Sequence, residues 1–409
     1  MLLTIDQAVD EVLSAARPAG TEDVDLLTCL GRTLAVDVAS PQDVPPFDNS
    51  AMDGFALRAA DQHGSQPRLR VVAELPAGRA IETPLPPGAA VKIMTGAPVP
   101  PGADAVVQVE ATRTDGDYVV LNAPVPLGSN IRRAGEDVRR GDVVVAKGEV
   151  ITAAHLGVLA SAGMSRVTVA RRPRVAILAT GSELVPVESP LGPGQIRNSN
   201  SYTAYGQTIE AGAEPVLLGV ARDDLDETKS LVSRALEEDV VVTSGGVSVG
   251  DYDFVKDVQE QLGVQRRFWG VRTKPGKPLA FGVRGATAVF GVPGNPVAAM
   301  VAFEVYVRPF VLTMLGRTQI WRPCVTAVAE EPVRRTRNRP ELRRCRLRHD
   351  GERWLFTTTG PQGSGILSSM ALADGLAFVP SEYPGAAAGE RLPVMLLSGA
   401  SDQRPPFPV

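Results

Sequence analysis

Four loops in the middle of the sequence carry groups that could do chemistry on an anion. ATGSELVP follows an apolar run, and its Thr180, Gly181, Ser182 and Glu183 offer hydroxyls, backbone amides and one carboxylate. A capped strand-to-helix turn accounts for the same residues equally well. TSGGVSVGDYDF follows a second run, and Ser244, Gly245, Gly246, Ser248 and Gly250 let the backbone approach an anion with its amides pointing at it. The string is neither a Walker A loop nor GxGxxG, so by itself it names no nucleotide-binding class. Asp251 and Asp253 add hard oxygen ligands of the kind Mg2+ uses together with substrate phosphates. VARDD places Asp223 and Asp224 after a third run, where capping of the following helix is the ordinary use. KPGKP holds Lys274 and Lys277 on a Pro-stiffened turn, two ammonium groups suited to an anion.

Two earlier segments, PPFDNSAMDGFALR and IMTGAPVPPGADAVV, also combine apolar and polar side chains. The first interleaves Phe47, Met52 and Phe55 with Asp48, Asn49, Ser50 and Asp53. Such a pattern presents polar groups from a packed loop, or forms a turn braced by Asn and Asp side chains. GED at 135–137 supplies two more carboxylates. The three Cys (29, 324, 345) and three His (63, 155, 349) follow no CxxC, HxxxH or HExxH spacing, so no zinc or iron–sulfur centre is expected. With no His in these loops, proton transfer falls to carboxylates, Lys or metal-held water.

These loops need elements to position them, and 409 residues allow two to three domains at roughly 150 residues each. Residues 2–17 place Ile5, Ala8, Val9, Val12, Leu13 and Ala16 at helical spacing, with Thr4 and Gln7 set as a capping box. From about 40 to 130, short apolar runs separated by Pro and Gly predict an inserted β-rich domain. GEDVRRGDVVVAKGEVI reads as a hairpin, and ITAAHLGVLASAG as a helix that packs back on the N-terminal one. From 172 onward strands alternate with helices near 202–211 and 224–238, and the strands are continuously apolar, as strands covered on both faces should be. A last helix over 296–315 has Pro in its first turn and a Glu304/Arg308 pair four apart. Beyond Gly316, alternation of period two in CVTAVA, CRLRHD, WLFTTT and LPVMLL predicts a small β-domain. The expected division is 1–44 with 131–171 as a discontinuous N-terminal domain, 45–130 inserted, 172–318 α/β, and 319–409 C-terminal.

The net charge of −4 gives no global positive field for nucleic acid or an anionic membrane. Neither partner is expected. Eleven Arg face five acids between residues 317 and 353, which reads as a solvated strand face or as a grip for a small anion. The stretch 296–315 is interrupted by Glu304, Arg308 and Pro309 and is expected to fall short of a membrane span. Sparse, odd cysteines, and acids at Asp6, Asp10 and Glu11 where a signal peptide would be basic, point to the cytoplasm.

DNSAMDG, IMTGAPVP, RRAGEDV, TGSEL, TSGGVSVGDYD, KPGKP and GVPGNPV, in this order, resemble the molybdopterin molybdenumtransferase family, which includes MoeA and the E domain of gephyrin. The resemblance runs from the first helix to about Pro380. It implies a multidomain α/β plus β fold, with a MogA-like central molybdopterin-binding domain and a small C-terminal β-barrel, assembled as a homodimer through the N-terminal domain. It implies insertion of molybdenum from molybdate into adenylylated molybdopterin, with Mg2+-dependent cleavage of the pyrophosphate and release of molybdenum cofactor and AMP. Functional positions carried over are Asp53, Thr95, Asp137, Glu183, Asp223 and Asp253, with Glu183 and Asp253 near Mg2+ and with Asp53, Thr95 and Asp137 acting from the other subunit. The substrate set is Thr180, Gly181, Ser182, Ser244, Gly245, Gly246 and Ser248, joined on the molybdate side by Lys274, Lys277, Pro293, Pro296, Arg339, Ser364 and Ser368. A molybdopterin adenylyltransferase and recipient molybdoenzymes are the protein partners implied.

Two positions depart from the family's pattern. Gly270 stands where many members have Lys, a charge that Arg272 replaces only in part, and Asn198 stands where many have Asp. Two rival readings remain at this level, an adenylyltransferase-type molybdopterin enzyme and a non-catalytic scaffold of the gephyrin kind. The flanking domains argue against the first, and the six retained functional positions against the second.

Overall fold

A computed structural model describes residues 2–222, 224–245, 254–334 and 339–409. The first helix, α1 (Ile5–Ser14), opens with the expected box, the Thr4 hydroxyl accepting from the Gln7 amide and the Gln7 side chain from the Thr4 amide. Its apolar stripe, Ile5, Ala8, Val9 and Val12, is buried in the same cluster as Phe303 and Phe310 of the α/β unit. Helix α2 (Ala153–Ser161) packs elsewhere, its Leu159 joining Cys29, Leu34 and Val169. The two helices therefore do not pack together as the sequence suggests, because each has a closer apolar face to cover.

Strands join the N-terminal segments instead. Thr21–Asp25 pairs antiparallel with Arg166–Ala170, and Val38–Ala39 with Val143–Val145. The 143–145 run is thus a partner for a distant strand rather than half of a local hairpin. Between these pairings the chain builds a six-stranded sheet in the order Ala105–Gln108, Gly54–Leu57, Ala89–Ile93, Arg68–Leu75, Tyr118–Leu121, Thr112–Asp115.

The central sheet runs Glu214–Ala221, Arg174–Thr180, Val240–Ser244, Thr287–Val292, Ala280–Arg284, Gln265–Trp269, the first four parallel and Ala280–Arg284 antiparallel to both its neighbours. Successive side chains on a strand point to opposite faces, and here both faces are covered. Val175 and Ile177 enter the cluster with α1 and the last helix, whereas Ala176 and Leu178 enter the one holding Val232, Ala235 and Val258. The crossovers are α3 (Asn200–Glu210), α4 (Leu225–Ala235) and α5 (Phe254–Gln261). The chain leaves Arg174–Thr180 toward one edge and returns on its other side at Val240–Ser244, so the strand order reverses between these neighbours. The crevice beyond their carboxyl ends is where open α/β sheets bind ligands.

The last helix is α6 (Pro296–Ala302) and α7 (Arg308–Met314), joined by a π-helical turn at Phe303–Val307. That turn breaks the four-residue register, and the expected Glu304/Arg308 pair does not form. Buried Glu304 instead takes the Arg322 guanidinium (2.9 and 3.3 Å) and the Gln207 amide (3.2 Å), while Arg308 donates to the Ile320 carbonyl. Mean hydropathy over Pro296–Met314 is 1.6, sufficient for a membrane span by composition, yet 89% of that stretch is buried inside the protein. It serves as the core helix of the α/β unit. The C-terminal segment closes a five-stranded barrel, Cys324–Ala329, Trp354–Thr358, Glu341–His349, Gly375–Val379 and Arg391–Leu396.

Candidate active site

A cleft of about 600 Å3 lies at the reversal point of the central sheet. Thr180 and Ser244, at the ends of adjacent strands, form its floor together with Gly181 and Gly245. The backbones meet closely here. Gly245 has φ +88°, and a Cβ on it would lie 2.6 Å from the Thr180 carbonyl oxygen and 2.8 Å from the Thr180 hydroxyl. Only glycine fits that conformation and that space. Gly181 has φ +144°, and a Cβ there would strike the Glu183 carboxylate at 2.5 Å. The missing side chain lets Glu183 fold back over the floor.

Three helices begin at the cleft. Asn198, Ser199 and Asn200 line it at the start of α3, Arg222 and Thr228 at the start of α4, and Gly294, Asn295 and Pro296 at the start of α6. Helix N-termini carry unsatisfied amides and partial positive charge, which favours anions. Asp224 caps α4 by accepting from the Glu227 amide at 2.8 Å, which matches the capping use read from the sequence. Asn198 is buried and spends both ends of its amide on Ser201, accepting from its N–H (3.1 Å) and donating to its hydroxyl (2.9 Å). This residue therefore satisfies an amide in the first turn of α3. Asn200 donates to the Gly294 carbonyl at 2.8 Å and so ties α3 to the PGN turn.

The C-terminal segment completes the wall. The Val297 amide in the first turn of α6 donates to the Ser364 carbonyl at 3.0 Å, and Gly365 and Leu367 line the cleft. Arg344 fixes this loop. Fully buried, it donates to the Ser369 hydroxyl (2.9 Å) and the Gly363 carbonyl (3.1 Å), with longer bonds to Pro361 and Gln362. Burial, with Arg343 adding to it, lowers its pKa to about 10. Sequence reasoning passed over Arg344 because it is one of eleven Arg in a biased stretch, and charge counting does not separate a buried fork from a solvated one.

KPGKP lies on the other side of the α6 start. A Cβ on Gly276 would stand 3.8 Å from the Ala298 carbonyl. The Lys274 amide donates to the Pro340 carbonyl (3.0 Å), and the Lys274 carbonyl accepts from the Leu342 amide (2.8 Å). The turn is thus stitched to the barrel strand that follows half-buried Arg339. The Lys274 ammonium lies 3.4 Å from buried Glu341, which also holds Arg343 at 2.6 Å. Lys277 and Ser368 are exposed and Pro293 is buried; of these, neither lysine nor Arg339 or Ser368 lines the 600 Å3 cleft. Gly270 adopts φ +89° with a virtual Cβ 2.5 Å from Leu2, and Arg272 reaches Ser381 at 3.1 Å. Arg272 is directed to the barrel and supplies no charge to the cleft.

Asp53 and Thr95 meet in a separate region, and Asp137 stands on a loop tied to the same segments. Asp53 Oδ1 accepts from both the Thr95 amide (2.7 Å) and the Thr95 hydroxyl (2.8 Å), and these bonds hold its carboxyl below the usual carboxylate range. The three loops are cross-tied. Asp48 accepts from Arg133 (2.6 Å) and the Ala134 amide (2.8 Å), Ser50 and the Gly96–Ala97 backbone exchange bonds of 2.8 and 3.0 Å, and the Asp137 amide donates to the Val44 carbonyl. None of the three lines the cleft of the same chain. Asp223, Gly246, Ser248 and Asp253 lie outside the described residues.

Models of known families match nearly the whole length: the MoeA N-terminal region (domain I and II) over residues 3–163, a probable molybdopterin binding domain over 176–313, and the MoeA C-terminal region (domain IV) over 326–397. Molybdopterin molybdenumtransferase 2 of Mycobacterium tuberculosis is 39% identical over 400 residues, 95% of this chain and 97% of that protein. The chain belongs to the MoeA family of molybdopterin molybdenumtransferases. The family's Bacillus subtilis member is 36% identical over 416 residues, covering 100% of this chain and 97% of the relative. The crystal structure of a molybdopterin biosynthesis MoeA protein from Pyrococcus horikosii superposes with TM-score 0.84 at 33% identity, over 98% of this chain and all of that one. The family fold, with its central α/β domain and small C-terminal β-barrel, is the one described above, and the family is one of transferases in molybdenum cofactor biosynthesis.

Proposed function

We propose that this transferase takes molybdenum from molybdate into the dithiolene of adenylylated molybdopterin, cleaving the pyrophosphate and releasing molybdenum cofactor and AMP. The observation that carries the reading is the cleft itself, where glycine-permitted close backbone at Thr180 and Gly245 meets three helix starts. Ser244 and the amides beside it hold phosphate oxygens, and Thr180 orients them. Glu183 is the one carboxylate lining the cleft among the described residues. That donor set suits Mg2+, which binds through few carboxylates plus substrate phosphates. When bound, Mg2+ would neutralise charge on the pyrophosphate; Glu183 would hold it, with Asp223 and Asp253 as further family positions. Molybdate, a tetrahedral dianion, is received on the KPGKP side, where Lys274, Lys277, Arg339, Ser364 and Ser368 supply charge and donors around the α6 start, with Pro293 and Pro296 shaping the turn.

Asp53, Thr95 and Asp137 line no part of their own chain's cleft, which supports a homodimer in which each subunit's platform closes the other's cleft. Three unpaired cysteines suit a reducing cytoplasm, where an adenylyltransferase would supply substrate and apo-molybdoenzymes would receive product. The test is AMP release from adenylylated molybdopterin with Mg2+, comparing molybdate, tungstate and no oxyanion. Molybdate-dependent release that then activates an apo-molybdoenzyme is expected. Glu183→Gln should lower turnover by about a hundredfold or more with the dimer retained. Binding without cleavage under every oxyanion would overturn the reading and leave a scaffold.

A further inference from the structure

We infer that Arg222 grips the phosphates of the substrate and sets the preference for the pyrophosphate-bearing form, an inference that rests on the cleft's being the substrate site. Its backbone is pinned. The Arg222 carbonyl accepts from the Asp224 amide (2.7 Å) and the Thr228 hydroxyl (3.3 Å), and the carbonyl of the preceding Ala221 accepts from the Gly181 amide (3.2 Å). The residue therefore stands at the carboxyl end of strand Glu214–Ala221, tied to the loop that carries Glu183.

Arg222 is exposed, lines the cleft, and has no ion pair or side-chain hydrogen bond among the described residues. Several other arginines are spent on protein groups. Arg171 and Arg174 hold Asp239 and Glu238 at the opposite end of the sheet. Arg197, the other cation among the described lining residues, gives its guanidinium to the Val187 and Ser189 carbonyls (2.9 and 3.4 Å). Among the described lining residues, Glu183 is the one carboxylate.

A guanidinium matches two phosphate oxygens with parallel donors, a geometry that an ammonium does not reproduce. A pyrophosphate offers more charge and more oxygens to that fork than a monoester does. Arg222 thus discriminates between adenylylated and free pterin phosphate at the binding step.

The experiment is calorimetric titration of the full-length protein with inorganic pyrophosphate and with adenosine diphosphate, for wild type, Arg222→Ala, Arg222→Lys and Arg197→Ala. Arg222→Ala should weaken both ligands by about tenfold to a hundredfold, Arg222→Lys should recover only part of the loss, and Arg197→Ala should change affinity little. With adenylylated molybdopterin, Arg222→Ala should raise KM by a larger factor than it lowers kcat. Wild-type affinity in Arg222→Ala, or a larger loss in Arg197→Ala, would overturn the inference. If the wild-type protein binds neither probe, the phosphate reading of the cleft fails first and this inference fails with it.

Discussion

The cleft and the Asp53 platform differ in how their polar groups are spent. On the platform, the Asp53 carboxylate takes two donors from Thr95 within 2.8 Å, Asp48 takes two more from Arg133 and Ala134, and three loops are locked to one another before any ligand arrives. In the cleft, helix starts face open space, Arg222 is unengaged among the described residues, and the glycines keep backbone uncovered. The first arrangement fixes the direction and ionisation of a carboxylate. The second leaves amides and charge for a ligand to satisfy. A site assembled from both divides the work, with rigid carboxylates on one part and an anion seat on the other.

That division predicts separable responses. The largest effect should come from Arg344→Ala, which removes the buried fork that shapes the loop of residues 361–369 on the cleft wall. Several carbonyls lose their donor and a cavity remains, so a loss of about 2–4 kcal/mol is expected in urea denaturation, together with weakened pyrophosphate binding. An unchanged denaturation midpoint would mean that the loop is held by the Val297–Ser364 bond instead.

Gly245→Ala should be felt in the cleft alone. The new Cβ meets the Thr180 carbonyl at 2.6 Å in a left-handed conformation, a strain of about 1–3 kcal/mol, and titration should detect pyrophosphate affinity reduced about tenfold or more. The pH dependence of turnover should keep its shape. A shift of the acid limb in this variant would break the proposed separation.

Thr95→Val is the smallest change and the mirror image. It removes the hydroxyl donor and keeps the amide, so the Asp53 carboxyl rises toward its ordinary value. Because the ionised form is the one that those bonds favour, the acid limb of the rate profile should move to higher pH, with activity near pH 7 and pyrophosphate affinity little changed. Thr95→Ser should restore the wild-type profile. A loss of pyrophosphate affinity in Thr95→Val would place the platform on the phosphate seat and erase the contrast.

Much of the architecture was written locally. The capping box at Thr4 and Gln7, the continuously apolar strands of a doubly covered sheet, and the period-two runs of the barrel all follow from neighbours within a few residues. Glycine placement was equally legible, since Gly245 follows a strand end and its backbone geometry excludes any Cβ. Partner choice across the molecule was not. Glu304 and Arg308 look like a helical pair, but a π turn shifts the register and Glu304 takes Arg322 instead. Arg222 and Arg344 are indistinguishable by type from many arginines; one lines a cleft and the other is buried under a loop because of elements remote in sequence.

The sequence by itself determined where strands and helices begin, which loops can approach an anion, and which family the chain resembles, because those properties reside in short-range spacing and residue type. Tertiary structure alone decided that Thr180 and Ser244 share one floor, that the barrel's loop caps α6, and that Asp53 stands apart from its own chain's cleft. Those outcomes depend on strand order and on which polar group is left without a neighbour, and both are settled only when distant segments pack.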